Sequence, residues 1–477
     1  MPEGLTYIGK KAFFSNKSLT EVVIPDGVTL IGDSLFSNCP SLQRLELNSN
    51  IGFSVRKLLS PTGSKNLTFV WNAQIEELAD SAFLGLTGLV DVTLPRGLKK
   101  IGNWAFANCN NLEEIRGLEN VEHIGEGAFY YCESLKGEIN IPNGTTIIAP
   151  NTFCRCKSLQ HISIPESVRH IGFAAFYFCN SLTSVTLPKN LTVIDESAFF
   201  CCTSITSITL SENLTSIGVY AFSQCPLTSI SLPQKLEVIG DWAFRGCNLT
   251  SIILPESLVF IGKGAFENCK KLEQAVLPTN LTIIPDELFC NCPSLSAISI
   301  PDGVRDIGKL AFCLTGLKSI RLPKSLCHIR EYAFEDCNSI SSIEFPEGIN
   351  SLGKGAFLGC SSLTSVIIPR TIRIIDERAF AKCSSLTHVT NWSREPQQIS
   401  KETFTLYDTL RVATGCKELY EAADYWNQFV IIEDATDVPY HPIDDKESGL
   451  TFDLSGRPVG EAQKGIYIRN GKKVMVK

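Results

Sequence analysis

Apolar residues recur along this chain on a fixed ruler. Aligned on the dipeptide Ala-Phe and its variants, the anchors are Phe13, Phe36, Phe83, Phe106, Phe129, Phe153, Phe176, Phe199, Phe222, Phe244, Phe266, Phe289, Phe312, Phe334, Phe357, Phe380 and Phe404. Every step is 22 to 24 residues except the 47 between Phe36 and Phe83, which holds one degenerate repeat with Leu58 or Leu59 in the Phe slot. Ile or Leu stands five residues before each of the 17 anchors, and Pro usually stands eleven before, as at Pro25, Pro95, Pro188 and Pro301. The Pro-to-Phe half keeps its length. Variation falls just after Phe, as in FSQCPLTSISLP beside FYFCNSLTSVTLP, and a surface turn is where length changes are tolerated.

Each repeat predicts three pieces. LTSVTLP, residues 182–188, places Leu, Val and Leu among small polar residues, which suits a short strand sending alternate side chains into a core. Pro ends it, having no N–H for a ladder. LTVI, residues 191–194, is a second short extended run, often followed by Gly at a tight corner. ESAFFCC, residues 196–202, is too short for an independent helix and predicts one helical or 3₁₀ turn that drops Ala and Phe inward. One such unit cannot bury its apolar side, but stacked copies can. The expected fold is therefore a β-rich solenoid of about 17 repeats with continuous parallel ladders.

The spacing L-x-x-[IV]-x-[IL]-P-x-x-[LV]-x-x-I-G-x-x-A-F-x-x-C resembles the leucine-rich repeat, specifically the BspA-like class of surface proteins in anaerobic bacteria. The resemblance covers residues 1–404, with an irregular repeat near 48–72. It implies parallel strands on a concave face and short strands or 3₁₀ turns elsewhere. Residues 405–440 look like that class's terminal cap, although its usual V-P-x-G reads Val412, Ala413, Thr414, Gly415. Residues 441–477 read as a linker, HPIDDKESG, and a tail in which Asn470-Gly471 signals a hairpin turn. The tail is similar to secretion-associated C-termini of the same bacteria. If so, the protein is exported, and the opening PEGLTYIG, set mid-repeat, reads as a truncated N-terminus lacking its signal peptide.

Composition narrows the partners. The net charge of -7 with 19% charged residues removes the electrostatic case for nucleic acid or anionic membrane, and no apolar run approaches a membrane span. No cofactor motif emerges. Of 19 cysteines, 13 share the slot three residues past the anchor: Cys39, Cys109, Cys132, Cys156, Cys179, Cys202, Cys225, Cys247, Cys269, Cys292, Cys337, Cys360 and Cys383. Residues in one slot stack about 4.8 Å apart, so the column reads as small buried thiols, with adjacent-rung disulfides as the alternative. The pairs Cys154-Arg155-Cys156, Cys201-Cys202 and Cys290-Asn291-Cys292 lack the spacing of a zinc site. Neither H-E-x-x-H nor G-x-S-x-G occurs, and His161 and His388 lie ten turns apart, so no catalytic or metal residue is expected. Any pocket would be expected at residues 48–72.

The candidate binding face is the concave sheet, an inference from the fold class. Its outward slots read Thr183, Ser184, Thr186; Thr206, Ser207, Thr209; Thr228, Ser229, Ser231; and Thr250, Ser251, Ile253. The stripe is hydroxyl-rich and uncharged, with Glu113, Glu114 and Arg116 towards one end and Lys318 and Arg321 towards the other. Aromatic anchors are missing from it, which suits a broad contact better than a deep pocket. Ser and Thr are also good strand residues, so the stripe reads equally as scaffold. The resemblance implies a non-catalytic, extracellular or cell-surface protein adhering to protein or glycan ligands. The alternative is a structural spacer without a specific site.

Overall fold

The computed structural model describes residues 1–2, 4–48, 58–59, 63–72, 75–136 and 138–434, together with short strand segments between 451 and 476. Successive turns stack as a solenoid in which each turn contributes a first strand, a second strand and a turn face. The first strands pair in parallel, Glu138–Asn140 with His161–Ser163 and then Ser184–Thr186. The second strands do likewise, six of them running unbroken from Ile147–Ile148 to Phe260–Ile261. Their in-register pairing puts like residues above like, Ile171 against Ile194 and Ile194 against Ile217.

The interior repeats the same seven side chains. In the turn from 182 to 204, Leu182, Val185, Leu191, Ile194, Ala198, Phe199 and Cys202 are buried. The anchor rings stack along the axis: Phe176 to Phe199 is 5.1 Å and Phe199 to Phe222 is 5.3 Å between centroids, with planes within about 10°. In the degenerate repeat, the Phe36 N–H donates to the Leu58 oxygen at 3.0 Å, as the Phe13 N–H donates to Leu35. Leu58 thus takes the Ala slot and Leu59, fully buried, the Phe slot. Of residues 48–72, the stretches 49–57 and 60–62 lie outside the described residues.

Two expectations need correction. The piece predicted as a helical or 3₁₀ turn is neither. The residues two before and two after each anchor from Phe13 to Phe380 have positive φ, as at Ala174 (51°) and Phe178 (58°), or Trp242 (53°) and Gly246 (73°). Alternating right- and left-handed conformations turn every second N–H along the solenoid axis. Ala174, Phe176 and Phe178 donate to Glu196, Ala198 and Phe200 of the next turn at 2.8 to 2.9 Å, while Ala175, Tyr177 and Cys179 donate within their own turn. A left-handed non-Gly residue costs on the order of 1 kcal/mol, so the inter-turn bonds are what hold this conformation in place.

The second correction concerns the first ladder, which is not continuous. No strand forms over 205–210 or 227–232, and a single bridge, Ser299 with Arg321, spans the later gap. Each gap contains a one-residue shortening, between Phe222 and Phe244 or between Phe312 and Phe334. Shortening alone does not open a gap: Ser251–Ile253, in the equally shortened step from Phe244 to Phe266, still pairs with Gln274–Val276.

The end of the array uses different chemistry. Thr409–Ala413 and Val430–Asp434 extend the first ladder beyond His388–Asn391. Between them lie the helix Lys417–Glu421 and the 3₁₀ turn Trp426–Gln428. Tyr420 and Trp426 are fully buried; the Trp426 indole N–H donates to the Gln397 oxygen at 2.7 Å, and the Tyr420 hydroxyl to Ser393 at 2.9 Å. Farther on, Gly465–Arg469 and Lys472–Val476 pair antiparallel, the two residues between them lying outside the described residues, as does the segment 441–449.

Candidate functional site

On this face exposed and buried side chains alternate whether or not a strand forms, and Thr183, Ser184, Thr186, Thr206, Ser207, Thr209, Thr228, Ser229, Ser231, Thr250 and Ser251 all lie exposed in four consecutive turns. Part of this hydroxyl face is occupied with its own backbone. Thr183 Oγ1 donates to the Gln160 oxygen one turn back at 3.2 Å, and Thr228 Oγ1 to Thr206 at 3.4 Å. The His161 ring meets the Ser184 hydroxyl at 2.8 Å. Towards the N-terminal end Glu113 pairs with Lys136 at 2.6 Å and Arg116 clasps Glu114. Towards the other end Ile253 and Val276, directly opposite each other, are 67% and 53% exposed and interrupt the polar stripe.

All 19 cysteines are free thiols. The column cysteines have a shared bond: the Sγ of each donates to the carbonyl of the anchor Phe one turn back, Cys179 to Phe153, Cys202 to Phe176 and Cys225 to Phe199 at 3.0 to 3.1 Å. The same geometry recurs from Cys39 to Phe13 through Cys383 to Phe357. Burial pushes the thiols of Cys109, Cys269 and Cys383 up to about 12 and keeps them protonated as donors. Cys therefore fills a slot that wants a small apolar side chain with one S–H, and the column is structural.

An aromatic band on the turn face escaped the sequence reading, which looked for aromatics only on the first ladder. Tyr177 stacks on Phe200 at 5.1 Å and Tyr220 on Trp242 at 5.0 Å. The Arg155 guanidinium lies over Tyr131 at 4.8 Å and over Phe178 at 5.1 Å. These side chains are half-buried. The signal was present in the aromatic residues next to the anchors, at Tyr130-Tyr131, Tyr177-Phe178 and Phe200.

The hollows are open. One of about 770 Å³ is lined by Glu77, Asp80, Lys100, Asn103, His123 and Glu126. Its polar groups are largely engaged: Lys100 Nζ donates to Glu77 at 2.6 Å, Asp80 accepts the Asn103 N–H and Asn103 accepts the Glu126 N–H. Another of about 520 Å³ lies by Arg373, Asp376 and Glu402 near the cap. Among the described residues, no group of three or more His, Cys, Asp or Glu side chains is arranged to hold a metal, and no helix is long and apolar enough to cross a membrane.

A family model described as BspA type leucine rich repeat region (6 copies) matches residues 1–57, 62–137, 136–237, 215–338 and 306–426. Among solved structures, a leucine-rich repeat protein from Bacteroides ovatus is 25% identical, covering 90% of this chain and 87% of its own, with a TM-score of 0.50. A leucine rich cell surface protein from Faecalibacterium prausnitzii is 24% identical over 81% of this chain and 83% of its own, with a TM-score of 0.35. A leucine-rich repeat protein from Eubacterium ventriosum is 21% identical over 66% and 82%, with a TM-score of 0.42. No curated protein matches the sequence.

Proposed function

The chain belongs to the BspA-type leucine-rich repeat family, and from that premise we propose that it is a non-catalytic binding protein of the cell surface, adhering to host or bacterial protein or glycan ligands through the side of the solenoid. The observation that carries this reading is the exposed hydroxyl face, uncharged and free of any enclosed cavity, running through the four turns from Thr183 to Ser251. Such a face offers many equivalent hydrogen-bonding positions and no deep anchor, which suits a broad, multivalent contact. Placement at the surface rests on the family likeness and on the tail, 441–477, whose sequence is similar to secretion-associated C-termini.

The spacer reading has its own support, because Thr183 and Thr228 spend their hydroxyls on the turn before. Arrays of matrix proteins and glycans distinguish the two. Against a parent that binds, the triple variant Thr206→Lys, Ser207→Lys, Thr209→Lys is expected to lose the signal while the fold, read by circular dichroism, is kept. Unchanged binding would sink the hydroxyl face as the contact surface, and binding lost instead by Arg155→Ala would move it to the aromatic band. A parent that binds nothing on either array would favour the spacer.

A further inference from the structure

Six cysteines stand off the thiol column: Cys154, Cys201, Cys290, Cys313, Cys327 and Cys416. Cys154, Cys290 and Cys313 share a slot, each following its anchor, Phe153, Phe289 and Phe312, by one residue, and of the three only Cys290 and Cys313, 23 residues apart, lie in adjacent turns. The turn-face bonds hold that register, the Phe289 N–H donating to Ala311 at 2.9 Å and the Asn291 N–H to Cys313 at 2.8 Å. Equivalent residues of adjacent parallel rungs lie about 4.8 Å apart at Cα, inside the roughly 4.4–6.8 Å span a disulfide accepts. The two thiols are near enough to shift each other's titration, and the Cys313 S–H itself donates to Glu335 Oε2 at 3.7 Å.

We infer that Cys290 and Cys313 form a reversible dithiol–disulfide pair on the turn face, with a low-molecular-weight disulfide such as oxidised glutathione as its oxidant. The two differ from the column thiols in every respect that matters. Column sulfurs point inward, and each spends its S–H on a Phe carbonyl. Cys290 is half-exposed, while Cys313 is 4% exposed and sits behind it. The neighbouring Cys313 thiol holds the Cys290 thiol below its ordinary value, against burial and the carboxylates of Glu267, Glu287 and Glu335; Cys290 and burial push Cys313 up. Cys290 is the attacking sulfur and Cys313 the resolving one, an arrangement that a low thiolate pKa at the exposed member favours.

The steps balance. Cys290 thiolate attacks one sulfur of the oxidant, an S–S bond forms to Cys290 as the oxidant's own breaks, and one glutathione thiolate leaves. Cys313 then loses its proton to Glu335, whose Oε2 lies 3.7 Å from its sulfur, and attacks Cys290 Sγ. The second glutathione leaves as thiolate. Two protein thiols are oxidised and one external disulfide is reduced to two thiols.

The full chain, incubated with oxidised glutathione and mapped as peptides without reduction, should yield one cross-linked peptide joining Cys290 to Cys313, undone by dithiothreitol. Cys201 and Cys327, also half-exposed but without a thiol in the same slot of the next turn, serve as internal controls. In Cys313→Ser the expected product is a lasting glutathione adduct at Cys290, the resolving thiol being gone. In Cys290→Ser, Cys313 should stay unmodified. Absence of the cross-link in the parent, a cross-link between other cysteines, or no lasting adduct at Cys290 in Cys313→Ser would each overturn the assignment.

Discussion

Between residues 174 and 263 the same turns are tied together differently on two faces. On the turn face every step carries three inter-turn backbone bonds, and the count is unchanged where a step shortens from 23 residues to 22: Tyr220, Phe222 and Gln224 donate to Asp241, Ala243 and Arg245 as Ser197, Phe199 and Cys201 donate to Val219, Ala221 and Ser223. On the hydroxyl face the strands give out over 205–210 and 227–232, leaving single bonds such as Thr228 N–H to Thr206 O at 3.0 Å. The comparison teaches that the turn face, with its Phe stack and thiol column, fixes the stacking. The hydroxyl face rides on it and is free to vary in sequence, which is what a contact surface requires.

Alkali should break the comparison most severely. Of the 13 column thiols, twelve are held above their ordinary value by burial. A folded pKa above the unfolded one means that the neutral thiol is favoured by folding. Its contribution is therefore complete below the unfolded value and is lost as pH rises from 9.0 to about 12, as for Cys109. At pH 11 a thiol with that shift costs about 2.7 kcal/mol, and Cys109, Cys269 and Cys383, which share it, together cost on the order of the stability of an ordinary domain. Circular dichroism against pH should show a steep loss above pH ~9, and a stable fold at pH ~12 would contradict it.

Phe199→Ala comes next. It removes a fully buried ring stacked on both neighbours and should cost about 3–5 kcal/mol in denaturant titration. Cys202→Ala is milder, about 1 kcal/mol, because the Phe176 carbonyl keeps the Cys179 N–H when it loses the thiol. Smallest of all, Thr206→Lys with Ser207→Lys should change stability by under about 0.5 kcal/mol. A cost there near that of Phe199→Ala would mean that the hydroxyl face is structural after all.

The Phe ruler made the turn count, the core and the thiol column legible, since a buried slot in a solenoid repeats its residue type. The left-handed positions were harder to read because bulky residues such as Trp242, Tyr220 and Leu310 occupy them. Asn108, Asn268, Gly127 and Gly264 in the same slots were the trace they left, these being the residues that enter that region most readily. The gaps in the first ladder were not legible, because the segments 205–210 and 227–232 carry the same alternation of apolar and hydroxyl residues as 182–187. The pairing of Cys290 with Cys313 was written in their separation of one repeat, but only the partial exposure of Cys290 distinguishes it from the buried column. The hydroxyl stripe was readable as exposed; which hydroxyls are bound to backbone was not.

Native-state hydrogen exchange, resolved to short peptides in the turns from 174 to 263, tests the division between the faces most directly. The amides of Phe176, Phe199 and Phe222, each bonded to the next turn, are predicted to exchange slowest. Those of Ile208 and Ser229, in segments without a strand, are predicted to exchange fastest. Equal protection on the two faces, or slower exchange along 205–210 than around Phe199, would contradict the account.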